Sequence, residues 1–276
     1  MLNLLSGELY KLRKSKCFLV CLALMVVSVI FMYGTLYLAN EMQQGEIENG
    51  TAGVVVSVDV QESSEGETVL ENIMISEVLQ VVMGGFCSFI VVIFNAIYVI
   101  GEFGHGAIKN MAGKGYSRSK IFISKYVSCL LGTVVMLVTG AVSNLAVGCI
   151  VIGTDSVNGV MLKDYTICTL LMSGLILAIS SLVVAISEIS RNLAVGISIA
   201  VCIVGGISSL IFSGVDLVLK RFSVQPSQYW LMNLLQECPY TDFGGEIVQR
   251  IIVSIVFWAG ASLIIGLCHF RKADIK

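Results

Sequence analysis

The sequence predicts an all-α integral membrane protein with six transmembrane helices, an N-terminal amphipathic interfacial helix and both termini in the cytoplasm. Three observations lead there. Of 276 residues, 56% are hydrophobic and 13% charged, against about 45–50% and ~25% in soluble domains. Six apolar stretches, roughly 17–39, 78–100, 126–153, 166–187, 193–213 and 251–269, contain no interior Asp, Glu, Lys or Arg. Basic residues gather in one set of alternate segments between them and acidic residues in the other. A soluble globule of this composition would expose apolar patches beyond the few hundred Å² that monomers tolerate. So few charges also exclude a disordered chain. Each stretch can cross about 30 Å as a helix, whereas barrel strands would alternate and run only ~10 residues.

At the N-terminus, Leu2, Leu5, Leu9 and Leu12 recur at helical spacing, with Glu8, Lys11 and Lys14 between them. This reads as a helix lying in the inner interface, apolar face toward the acyl chains. A plain basic flank that orients the first span is the simpler and compatible reading. The first stretch follows Lys11, Arg13, Lys14 and Lys16 and runs for about 23 residues. A signal-peptide core is 7–15 residues long and ends in a small-x-small site. Leu38-Ala39-Asn40 offers no such site, so an uncleaved span is expected.

Loop charges set the orientation. Segment 40–77 holds nine acids and no Lys or Arg, so it lies outside. Its β-branched run Val54–Val60 permits a hairpin. An acidic docking loop for a cation or cationic peptide and a merely solvated loop both fit. Segment 101–125 carries Lys109, Lys114, Arg118, Lys120 and Lys125, so it lies inside. Two short helices around the Gly113–Gly115 breaker fit it, with Ser117 capping the second. Segment 154–165 is outside, and 188–192, with Arg191, is inside. Segment 214–250 is outside, and Arg271, Lys272 and Lys276 end the chain inside. The inner side then holds 13 basic residues against four acids, and the outer side four against 15. The net charge of −2 is the sum of two opposed surfaces.

The last outer loop has Pro226, Pro239, Tyr229-Trp230-Leu231-Met232 and Leu234-Leu235. That is too apolar for a solvated loop. It reads as a segment dipping into the outer interface or capping a pathway, with Tyr229 and Trp230 as candidate outer-gate residues.

Motifs for chemistry are sparse. A phosphate loop needs Gly, four residues, then Gly-Lys-Ser/Thr. Here Gly113-Lys114 is followed by Gly115, and position 108 is Ile. Gly104-His105-Gly106 lacks the third glycine of a dinucleotide fingerprint. No cofactor, enzymatic activity or nucleic-acid partner is expected of this chain. The nine cysteines include no CxxC and no Cys/His cluster, so no metal site is expected. Eight of them lie in or at the start of apolar runs as small hydrophobes, and only Cys238 falls in an aqueous outer loop. Asn95 and Asn144 are the strongest polar groups within the spans. They read either as interhelical packing or, with Ser198 and Ser208, as part of a substrate path. Gly196-Ile197-Ser198-Ile199 and Gly206-Ile207-Ser208-Ser209 match the loose Gly-x-Ser pattern of intramembrane proteases. A serine nucleophile needs a base within reach, and the two histidines, His105 and His269, lie on the inner side.

One combination points to a family. The opening Leu5-Ser6-Gly7-Glu8-Leu9-Tyr10-Lys11-Leu12-Arg13-Lys14 runs directly into the first span. The inner loop reads Glu102…Gly106…Ile108-Lys109-Asn110…Gly115-Tyr116-Ser117-Arg118…Ile121…Lys125, and the chain ends Phe270-Arg271-Lys272-Ala273-Asp274-Ile275. In order and placement this resembles the membrane subunits of type-two ABC exporters, near the bacitracin-resistance and lantibiotic-immunity transporters. The resemblance implies a single permease domain over 1–276 in a bacterial plasma membrane, in contact with membrane lipid. It implies a homodimer or a heterodimer with a sister permease. Each half would bind a separate cytoplasmic ABC ATPase subunit that carries the ATP and Mg. It implies a connecting helix at the N-terminus and a substrate path along spans two and five. The last outer loop would be a re-entrant gate, and 101–125 would couple to the ATPase through Glu102, Gly106, Lys109, Gly115 and Arg118. The expected function is export of a hydrophobic or amphipathic substrate, an antimicrobial peptide or drug. A stand-alone secondary transporter or channel is the alternative, and an intramembrane protease the remote one.

Overall fold

The computed structural model describes residues 2–49, 75–104, 117–151, 159–219, 225–239 and 243–272, and every regular element among them is helical. Helix α1 spans Leu2–Lys14 and α2 Lys16–Asn49. Helix α3 (Ile75–Val82) continues through a π-helical turn, Met83–Cys87, into α4 (Ser88–Gly104). Then follow α5 (Arg118–Val151), α6 (Gly159–Ser190), α7 (Leu193–Val204) and α8 (Ile207–Leu219). A 3-10 turn at Pro226–Tyr229 leads into the short α9 (Leu231–Gln236), and α10 is Gly245–Lys272. Among the described residues, five helices are long and apolar enough to cross a membrane, and α7 with α8 makes a sixth if counted as one broken span.

The pattern that forms these helices also decides which face is buried. In α2, Cys21, Met25, Val29, Tyr33 and Leu36 recur at three- and four-residue spacing and are buried, while Leu19, Val20, Leu24, Val27, Ile30 and Phe31 face outward. A soluble protein could not leave that outer stripe wet, but acyl chains cover it at no cost. Helix α6 is the central element, packed against α4, α5, α7, α9 and α10. Most of the buried apolar side chains form one core. A second, smaller core of Leu4, Val99, Ile121, Phe122, Tyr126, Cys129, Val184 and Phe270 sits at the inner end.

Three expectations are corrected. The fifth stretch was read as one unbroken span over 193–213; instead it bends by 60° between Val204 and Ile207. Gly206 has φ +86°, a conformation nearly closed to residues with a Cβ. The adjacent pair Gly205-Gly206 therefore ends one helix and lets the next start in a new direction. The N-terminal helix was expected to turn its apolar face to lipid. In the structure Leu4, Glu8 and Leu12, one turn apart, are buried, and α1 packs on α5. Contact with a ready-made protein groove holds more atoms at van der Waals distance than a disordered acyl layer does. Third, Cys238 is buried rather than in an aqueous loop.

The helices also outrun the apolar stretches. Helix α5 starts at Arg118 and α6 runs to Ser190, so Lys125 and Glu188, each one residue beyond its stretch, become integral to the bundle. The Val54–Val60 run, Gly106, Lys109 and Gly115 lie outside the described residues.

Candidate functional site

The inner end of the bundle is where charge, burial and the basic loop meet. Helix α4 enters loop 105–116 and α5 leaves it, so the two are the stems of the loop. Glu102 lies in the last turn of α4 and Arg118 begins α5. Lys125, two turns into α5, is 2% exposed. Its Nζ donates to the backbone oxygen of Val99 on α4 at 3.0 Å and lies 3.6 Å from Glu188 Oε1 on α6. Glu188 is 1% exposed. A lone buried ion of either sign would cost several kcal/mol. Here each offsets the other, and the ammonium also hydrogen-bonds a backbone carbonyl of α4.

The other inner elements are tied to the same place. Tyr98 Oη on α4 lies 3.3 Å from the Glu8 backbone oxygen and 3.4 Å from Glu8 Oε2, linking α1 to span two. Lys11 pairs with Glu8 at 2.9 Å. Phe122 packs on Tyr126 and on Phe270, with ring centroids 5.9 and 5.8 Å apart. Arg271 Nε donates to Ser119 Oγ at 3.1 Å, which joins α10 to the start of α5.

Midway along the bundle, Asn95 Nδ2 donates to Thr133 Oγ1 at 3.1 Å and to Ser180 Oγ at 2.6 Å, and the two hydroxyls lie 3.1 Å apart. All three residues are fully buried. Asn144 is likewise buried: its backbone oxygen accepts from Tyr33 and its Oδ1 from Tyr165, at 3.5 and 3.4 Å. In this conformation both asparagines hydrogen-bond groups on two neighbouring helices. Ser198 is exposed on α7 and makes no contact with either.

The outer end carries the short helix α9, packed into the bundle. Leu231, Met232, Leu234 and Leu235 of α9 are all buried, and Gln80 Nε2 donates to the Gln236 backbone oxygen at 2.7 Å. Asp216 Oδ1 accepts from the Ser227 backbone N–H at 3.2 Å, pinning the preceding 3-10 turn to α8. Trp230 stacks on Phe212 at 4.4 Å and meets Trp258 edge-on at 5.1 Å. Trp258 Nε1 donates to the Tyr229 backbone oxygen at 3.1 Å. Ser208, a possible substrate-path residue in the sequence, belongs to this group: its Oγ accepts from Trp230 Nε1 at 3.0 Å and donates to the Ile203 backbone oxygen at 2.8 Å. Tyr229 stays half-exposed beside it. Hydrogen bonding to Cys168 and burial push the Cys238 thiol well above the ordinary cysteine range.

The structure thus unites Ser208 with Trp230, keeps Asn95 and Asn144 in separate clusters, and leaves Ser198 apart. The sequence reading missed Lys125 and Glu188. A usable signal was there: opposite charges flank the inner ends of two consecutive, antiparallel spans, which places them at one depth. No curated protein matches the chain. The family model for "ABC-2 family transporter protein" matches residues 2–275. With its multi-pass helical architecture, the chain is therefore a plasma-membrane protein and a transport subunit, and it belongs to the ABC-2 transporter family.

Proposed function

We propose that this chain is the permease subunit of an ATP-driven exporter. It moves a hydrophobic or amphipathic substrate, an antimicrobial peptide or drug, with energy from a separate cytoplasmic ATP-binding subunit. One observation carries the reading: both stems of the basic inner loop are rooted in a compact inner core that gathers α1, α4, α5, α6 and α10. A rigidly rooted basic loop is suited to receive a push and pass it to the spans. Glu102, Gly106, Lys109, Gly115 and Arg118 are the proposed partner contacts. The broken span α7–α8 and the α9 segment are the proposed moving and gating parts, with Tyr229 and Trp230 at the outer gate. Two copies, or one with a sister permease, would complete the path.

The test is co-purification of the chain with a co-expressed ABC ATP-binding subunit, followed by ATP-dependent export from cells or vesicles. Charge reversal at Lys109 and Arg118 is expected to abolish complex formation. Unchanged complex and export would overturn the coupling role of the loop.

The buried Lys125–Glu188 pair favours a second reading, an ion-coupled transporter working alone, because ionisable groups inside spans commonly mark ion paths. Transport in liposomes without any ATPase would support that reading over the first.

A further inference from the structure

We propose that Lys125 and Glu188 form a clamp that carries a displacement of the inner ends of α4 and α5 into the fourth and fifth spans. The inference rests on the transporter reading above and adds two positioning residues to it. Lys125 holds both stems of the loop together, since it sits on one and hydrogen-bonds Val99 on the other at 3.0 Å. Its ion pair with Glu188, at 3.6 Å, adds the inner end of α6 to the same joint. Three helices then cannot shift independently without breaking a buried ion pair and the bond to Val99, which is costly.

From Glu188 the covalent path to the broken span is short. Arg191, at φ +49°, makes the turn out of α6. Asn192 caps α7 by accepting from the Ala194 backbone N–H at 3.1 Å. Helix α7 lies tight against α4: a Cβ at Gly196 would run into Ile100 Cδ1. A displacement of the α6 end is thus delivered to α7, and α7 reaches the Gly205-Gly206 bend. Beyond the bend, α8 carries Phe212 and Ser208, the two α8 residues that touch Trp230. Coupling over such a distance needs a contiguous chain of packed contacts with two arrangements, and this is one such chain.

The molecule supplies its own reporter. The chain has two tryptophans, and Trp230 and Trp258 are in contact at the far end of this path. The experiment uses the full chain in complex with its ATPase, the tryptophans of the ATPase replaced by Phe. Emission is recorded before and after ATP with vanadate. The wild-type complex is expected to change its emission. The double variant Lys125→Met/Glu188→Leu removes both charges, a change that buried pairs often tolerate. It is expected to keep the ATPase bound and hydrolysing while the emission change shrinks roughly tenfold. A purely structural pair would leave the emission change intact, and that result overturns the clamp, as does a wild-type complex with no change. If the double variant does not accumulate, Glu188→Gln, which keeps the side-chain shape, carries the same test: an unaltered response overturns the proposal. Failure of the wild-type chain to bind any ATP-binding subunit is a separate outcome and overturns the transporter assembly itself.

Discussion

The indole N–H of Trp230 donates to Ser208 Oγ at 3.0 Å across the bend of the fifth span. This bond ties the segment that leads into α9 to the start of α8, just after the 60° bend. In a double-mutant cycle of Ser208→Ala and Trp230→Phe, a coupling of about 0.6–1.7 kcal/mol is expected, the range measured for hydrogen bonds between membrane helices. Thermal unfolding of the detergent-solubilised chain reads it. Additive effects of the two substitutions would show that the bond contributes nothing.

Gly206 permits the bend because its φ of +86° suits a residue without a Cβ. Gly206→Ala should cost about 1–2 kcal/mol and lower the unfolding temperature. The same substitution at Gly214, where a Cβ would meet open space and the backbone is helical, should not destabilise. Equal effects at both positions would remove the conformational argument.

Asn95 binds Thr133 and Ser180 in a fully buried triad. After Asn95→Ala the two hydroxyls can still bond each other, 3.1 Å apart. The expected loss is therefore moderate, about 1–2 kcal/mol, and the folded yield should persist. If Asn95 serves only packing, transport per folded molecule stays at the wild-type level. A drop in transport with stability preserved would place it on the substrate path.

Cys238 is buried against Cys168, and its thiol is pushed well above the usual range. A raised pKa means less thiolate at any given pH, and the thiolate is the reactive form. A membrane-impermeant maleimide applied from outside at pH 8 should leave Cys238 unlabelled in the native protein and label it after denaturation in SDS. Rapid native labelling would show that the α9 segment opens readily.

The spans were legible because hydropathy acts locally: a run of twenty apolar residues has one stable home whatever its neighbours. The charge asymmetry between the loops was legible for a similar reason, since it is a property of local composition and not of packing. The burial of α9 against the bundle goes with the apolar cluster 229–235. The bend at Gly205-Gly206 was visible as a breaker pair inside an apolar run, yet a membrane helix tolerates single glycines well enough that hydropathy alone passed over it. Asn95 was visible as a polar residue in a span. Its partners were not, because Thr133 and Ser180 lie 38 and 85 residues away in the chain.

What the sequence determined by itself is the membrane character and the segregation of charge between the two sets of loops. Each follows from the free energy of moving individual side chains between water and hydrocarbon, which is nearly additive along the chain. Only the tertiary structure decided that Lys125, Glu188 and Val99 form one joint, that Leu4 and Leu12 face protein rather than lipid, and that Ser208 serves Trp230. Those outcomes depend on which helix faces lie together, and in a bilayer that choice is made by close packing and polar pairing between helices.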